Sequence, residues 1–183
     1  MTGHARTRTI ARAVAVAAVL AVGSAGCGGG SDDATPAAAS ATTTVVVAAK
    51  QLSAAMAKLK ADAAKLGAPS VSGSVLSFGS TKVNDDFTLV DAVAGEFGCT
   101  ATFFVAQGSA FVRVSTNVMK DGKRAVGTEL DPTGPVIAQI RQAKAFSGVV
   151  DILGEKYDTI YEPMVDAKGT VLGVHYVGVK VHG

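Results

Sequence analysis

The chain has 183 residues, a formal charge of +2 and 48% hydrophobic residues, with 5% aromatic residues and no Trp. That length suffices for one domain with a sizeable core, and two cysteines are too few for a disulfide-stapled fold. The near-balanced charge gives no electrostatic footprint for nucleic acid, so no nucleic-acid partner is expected.

Residues 1–26 read as a signal peptide. Arg6, Arg8 and Arg12 form a basic n-region without an acidic residue, and Ala13 to Ala25 is an apolar run. Such a run is short for a bilayer span and suits an h-region. It ends in Ser24-Ala25-Gly26-Cys27. Small residues before a Cys resemble the lipobox of bacterial lipoproteins, which implies that Cys27 is diacylated and becomes the new N-terminus. Ser24 stands where that motif usually has Leu. The alternative is ordinary secretion with cleavage near Ala25. Either way the processed chain loses three Arg and no acid, which turns +2 into −1. With Cys27 acylated, Cys99 has no partner and reads as a small buried hydrophobe. Residues 27–44, mostly Gly, Ser, Thr and Ala, read as a tether. Residues 45–183 remain as a single domain, with no second hydrophobic span.

Val45 to Leu66 is expected to be one helix. Val45, Leu52, Leu59 and Leu66 recur at seven-residue steps, Ala49, Met56 and Ala63 lie between them, and Gly67 and Pro69 end the run. The stripe is a face for packing on its own domain or, alternatively, a dimer seam. Beyond it the period falls to two. Val71 to Phe78 reads as a short strand, and Phe87 to Val93 is ambiguous. Thr100 to Ala106 and Phe111 to Thr116 are strands around the turn Gln107-Gly108-Ser109, and Asp121-Gly122 is a further turn. Pro135 to Ala143 is a short helix with Pro in its first turn. Val149 to Ile152, Asp158 to Val165 and Thr170 to Val181 are three more strands, joined at Gly154-Glu155-Lys156 and Asp166-Ala-Lys-Gly169. Hairpin turns between successive strands predict an antiparallel sheet.

Two stretches carry a resemblance. They are Phe111-Val-Arg-Val-Ser-Thr-Asn117 with Ala125-Val-Gly-Thr128, and Tyr157-Asp-Thr-Ile-Tyr-Glu-Pro-Met-Val-Asp166 with Gly169-Thr-Val-Leu-Gly-Val-His-Tyr-Val-Gly178. Their succession, over roughly Val83 to Val181, resembles the single Cache extracytoplasmic sensor domains of bacterial chemoreceptors and sensor kinases. The resemblance implies an α+β, PAS-like fold: a five-stranded antiparallel sheet, a long N-terminal helix, and a short helix between the second and third strands.

Enzyme signatures are absent. His175 lies mid-strand, His182 is penultimate, and no His pair has metal-ligand spacing; nor is there a CxxC or a Gly-rich strand-to-helix loop. Ser residues lack a nucleophile elbow. No catalytic residue, metal or cofactor is expected. Asp121, Asp131, Glu155 and Asp166 read as turn residues.

Binding candidates are clearer. Arg113 interrupts an apolar strand and, in strict alternation, shares a face with Phe111 and Ser115. It is either a solvated edge charge or the partner of a carboxylate, from a ligand or from the protein. Tyr157 and Tyr161, four apart, share a strand face as a pocket wall or as cross-strand core. Glu162 takes the opposite face, and Pro163 argues for an edge or bulge. The resemblance also puts Lys144 and Phe146 near a pocket mouth, with a solvated side chain as the alternative for Lys144. Lys156 replaces a Pro common before the first Tyr.

The expected function is therefore an extracytoplasmic, lipid-anchored small-molecule sensor module without its own output domain. Its expected partners are a small polar metabolite such as a carboxylate, the membrane through Cys27, and a signalling protein or second copy. The alternative is an envelope structural or protein-interaction module of the same fold that has lost ligand binding.

Overall fold

The computed structural model describes residues 37–181, with side chains from Ala49 onward. The leader, Cys27, the tether up to residue 36 and His182 lie outside the described residues. The elements in chain order are α1 (Ala37–Leu66), β1 (Pro69–Ser72), β2 (Val75–Phe78), β3 (Thr81–Lys82), α2 (Thr88–Phe97), β4 (Thr100–Gln107) and β5 (Ala110–Thr116). Then come β6 (Met119–Lys120), β7 (Lys123–Arg124), α3 (Pro135–Ile140), β8 (Phe146–Ile152), β9 (Glu155–Val165) and β10 (Val171–Lys180). Among the described residues no helix is long and apolar enough to cross a membrane.

The centre is a five-stranded antiparallel sheet in the order β5-β4-β10-β9-β8. The last strand thus lies in the middle, between the β4–β5 and β8–β9 hairpins. With α1 before the sheet and α3 between its second and third strands, the architecture is the α+β, PAS-like arrangement expected.

Several boundaries differ from expectation. The first helix starts at Ala37 rather than Val45, so part of the expected tether is helical. Ala and Thr suit a helix start as well as a linker, and composition alone could not separate them. The run Val71–Phe78 is a hairpin rather than one strand, because Gly73 takes φ 61 between β1 and β2. The ambiguous segment is α2, preceded by an Asx turn in which the Asp86 carboxylate accepts hydrogen bonds from the Thr88 N–H and hydroxyl at 2.9 and 2.7 Å. Gly98 closes α2 in the left-handed region. α3 ends at Ile140, β8 begins at Phe146, and the β8–β9 turn is Leu153-Gly154.

The core has two halves, one on each face of the sheet. Leu52, Ala55, Met56, Leu59 and Ala63 of α1 bury against Val90 and Val93 of α2 and against Ala101, Phe103, Val105 and Val177 of the sheet. From Leu52 to Ala63 the helix stripe is thus a packing face, whereas Ala49 and Leu66 are exposed and the Val45 side chain lies outside the described residues. Cys99 sits in this half at 7% exposure, its Sγ 4.0 Å from the Val93 carbonyl, and burial raises its pKa to about 11. On the other face Phe104, Phe111, Tyr161, Val174 and Tyr176 pack against Val136, Ile137 and Ile140 of α3.

Candidate ligand-binding site

The α3 face holds a cavity of about 470 Å³, a size that suits a small molecule. Arg113 and Tyr161 line it from the sheet. Leu130, Pro135 and Val136 close one side, and Val149 to Leu153 of the edge strand and its turn close the other. Three carboxylates, Glu129, Asp131 and Asp151, also line it.

Arg113 reaches this place through backbone register. Strand β5 pairs Arg113 with Phe104 and Ser115 with Phe103, leaving Val114 unmatched in a bulge. Strict alternation is broken there, so Arg113 keeps the face of Phe111 whereas Ser115 turns to the other layer and donates to the Asp86 carbonyl at 2.6 Å. The outer edge of β5 is covered by the segment from Gly127 to Leu130. Arg113 N–H donates to the Thr128 carbonyl at 2.9 Å, and Gly127 N–H and Leu130 N–H return bonds to Arg113 and Phe111. The Ala125-Val-Gly-Thr128 stretch is thus the strap that protects the sheet edge and carries Glu129 to Asp131 to the cavity.

Arg113 is 4% exposed. Nη1 donates to the Thr128 hydroxyl at 2.7 Å, and that hydroxyl in turn donates to the Ala125 carbonyl at 2.7 Å. The charged carbon stands 4.9 Å from the centre of the Phe104 ring, a cation–π contact. Nε is buried without a partner among the described residues. No carboxylate among them forms an ion pair with Arg113. Burial therefore pulls its pKa down, with the nearby Tyr161 and Tyr176 opposing. A buried cation without a countercharge is costly, and Arg113 is one of the residues that line the cavity.

Tyr161 is 1% exposed and stacks on Tyr176 with ring centres 4.8 Å apart. Burial raises its pKa and Arg113 lowers it, so its hydroxyl stays protonated. Phe146 meets the Tyr161 ring edge-on at 6.3 Å, and Tyr157 lies half-buried in the same apolar cluster; both back the wall rather than line the cavity. Lys144 is exposed and donates to the Gln142 side chain at 3.0 Å, away from the lining. Arg113 and Tyr161 are thus brought together, with Tyr157 and Phe146 behind them.

Sequence reasoning missed the acidic lining. Asp131 lies in a turn, where the Thr133 N–H and hydroxyl hold its carboxyl below the ordinary range. The Asp151 carboxylate accepts from Gly154 N–H at 2.9 Å. In sequence Asp131 reads as an ordinary turn residue, and Asp151 falls within the strand expected over Val149 to Ile152. Only the pairing of Val112 with Glu129 across the strap brings the first group here.

A family model, the Cache 3/Cache 2 fusion domain, matches residues 32–182. No curated protein matches the chain. Domains of this kind are extracytoplasmic, take small molecules, and are sensory rather than catalytic. The match covers most of the sequence and accords with the sheet order and helix placement, and the chain belongs to the Cache family.

Proposed function

We propose that the Arg113 cavity takes a small organic carboxylate that also bears a cationic or hydrogen-bond-donating group, and that the domain senses it while anchored to the membrane through lipidated Cys27. The observation that carries this reading is the buried guanidinium, which has one hydroxyl partner, a free Nε and no countercharge. Guanidinium presents a planar fork to a carboxylate. Tyr161 supplies an aromatic wall with a protonated hydroxyl. Glu129, Asp131 and Asp151 disfavour a plain anion and favour a ligand whose far end is positive or donates hydrogen bonds. Occupancy would pass to a signalling protein or a second copy of the domain.

A thermal-shift screen of small organic acids tests this, since a ligand at about 100 times its dissociation constant stabilises by about 2.7 kcal/mol. Arg113→Met should then weaken the best hit about 10- to 150-fold, the worth of a charge-assisted hydrogen bond. The melting temperature should hold or rise, because an uncompensated buried charge has been removed. Unchanged affinity by calorimetry would refute the assignment of Arg113.

The anchor has its own test. Cys27→Ser should move the protein from the membrane fraction to the soluble fraction. Membrane association that survives the change would exclude lipidation as the anchor.

A further inference from the structure

The opposite face of the sheet carries a second hollow, of about 370 Å³, between the end of α1 and strands β9 and β10. Ala64, Pro69, Phe78 and Met164 form apolar walls, with Lys60 and His175 also lining it. It persists for a local reason. Gly67 and Gly79 pack backbone to backbone, so that a Cβ added at Gly67 would stand 2.6 Å from the Gly79 Cα. That contact fixes the end of α1 against the β2–β3 turn. The helix presents Ala64 to the gap, and a methyl group does not fill it.

His175 is the polar feature of the interior wall. It is 7% exposed, with its ring centre 6.1 Å from that of Phe78 and 5.5 Å from that of Phe103. Its Nδ1 is buried without a hydrogen-bond partner among the described residues. Buried ring nitrogens are normally paired. Lys60 does not supply the missing partner, because its ammonium is paired with Glu162. The pair cancels the charge at that side, so the hollow selects neither an anion nor a cation.

We propose that this hollow is a second binding site, for a small neutral amphiphile with an aromatic or branched aliphatic body and one hydroxyl that pairs with His175. The apolar walls take the body. A hydroxyl both donates and accepts, so it satisfies the imidazole in either tautomer. The site does not depend on the Arg113 cavity, which lies across the sheet.

4-Ethylphenol and ethylbenzene differ by that hydroxyl alone and serve as probes, followed by NMR of the His175 ring. 4-Ethylphenol should shift these resonances saturably and bind about fivefold or more tightly than ethylbenzene, the increment of one neutral hydrogen bond. Ala64→Leu, at an exposed helix position, should fill the hollow and abolish binding of both with the fold intact. Arg113→Met should leave phenol binding unchanged, which separates this site from the other. Equal affinity for the two probes, no saturable shift, binding that survives Ala64→Leu, or binding lost in Arg113→Met would each overturn the proposal.

Discussion

Leu59→Ala is expected to destabilise the domain by about 2–5 kcal/mol, the range for truncating a fully buried Leu. Leu59 is 0% exposed and lies on α1 among Met56, Ala63 and the residues of β4 and β10. Its neighbours are buried side chains carried by strands and helices held by their own hydrogen bonds, which limits collapse of the cavity. Far-UV circular dichroism should show a melting midpoint lower by roughly 10 °C, at a few degrees per kcal/mol for a domain of this size. Leu66→Ala serves as the contrast. Leu66 is 38% exposed at the end of the same stripe and should cost far less. Equal losses at the two positions would mean that the helix packs on something other than this sheet.

Acidification supplies the second large effect. Burial first, and then the Lys60 ammonium, push the His175 pKa down to about 4, with the Glu162 backbone opposing. An unfolded His titrates near 6.5. Above about pH 6.5 the ring is neutral in both states, and its contribution to stability is fully present. Between about pH 6.5 and 4 the unfolded chain binds a proton that the fold refuses, so stability falls as the pH falls. The loss between about pH 7 and 4.5 amounts to about 2–3 kcal/mol. Urea midpoints across this window measure it. His175→Gln, which cannot titrate, should remove most of the slope; a variant with the wild-type slope would show that other groups carry it. Asp62, Asp86, Asp131 and Asp166 have lowered pKa values and contribute below this window.

Features that depend on local spacing were legible in the sequence. The β4–β5 hairpin follows from alternation around Gln107-Gly108-Ser109, α3 from its Pro and its apolar face, and the shared face of Tyr157 and Tyr161 from their spacing. The position of β10 between β4 and β9 joins strands far apart in the chain, which local spacing does not reveal. Arg113 stood out because a charge within an apolar strand is unusual. Its direction was read correctly relative to Phe111, but the bulge at Val114, which turns Ser115 away, leaves no mark in the composition. His175 looked inert because it has no second His at metal spacing. Its burial beside Phe78 and Phe103 joins residues far apart in the chain, an arrangement invisible to local patterns.

Cys99 offers a built-in clock for domain opening. With a pKa near 11 its thiolate fraction at pH 7 is about one in ten thousand, and its side chain is shielded between α2 and β4. Alkylating reagents therefore meet a reactive sulfur only after those elements part. In a Cys27→Ser background the labelling rate would read the opening equilibrium directly when reclosing outpaces modification. A carboxylate bound at Arg113 should slow that rate in proportion to its occupancy, so affinity could be followed by mass spectrometry without any added dye.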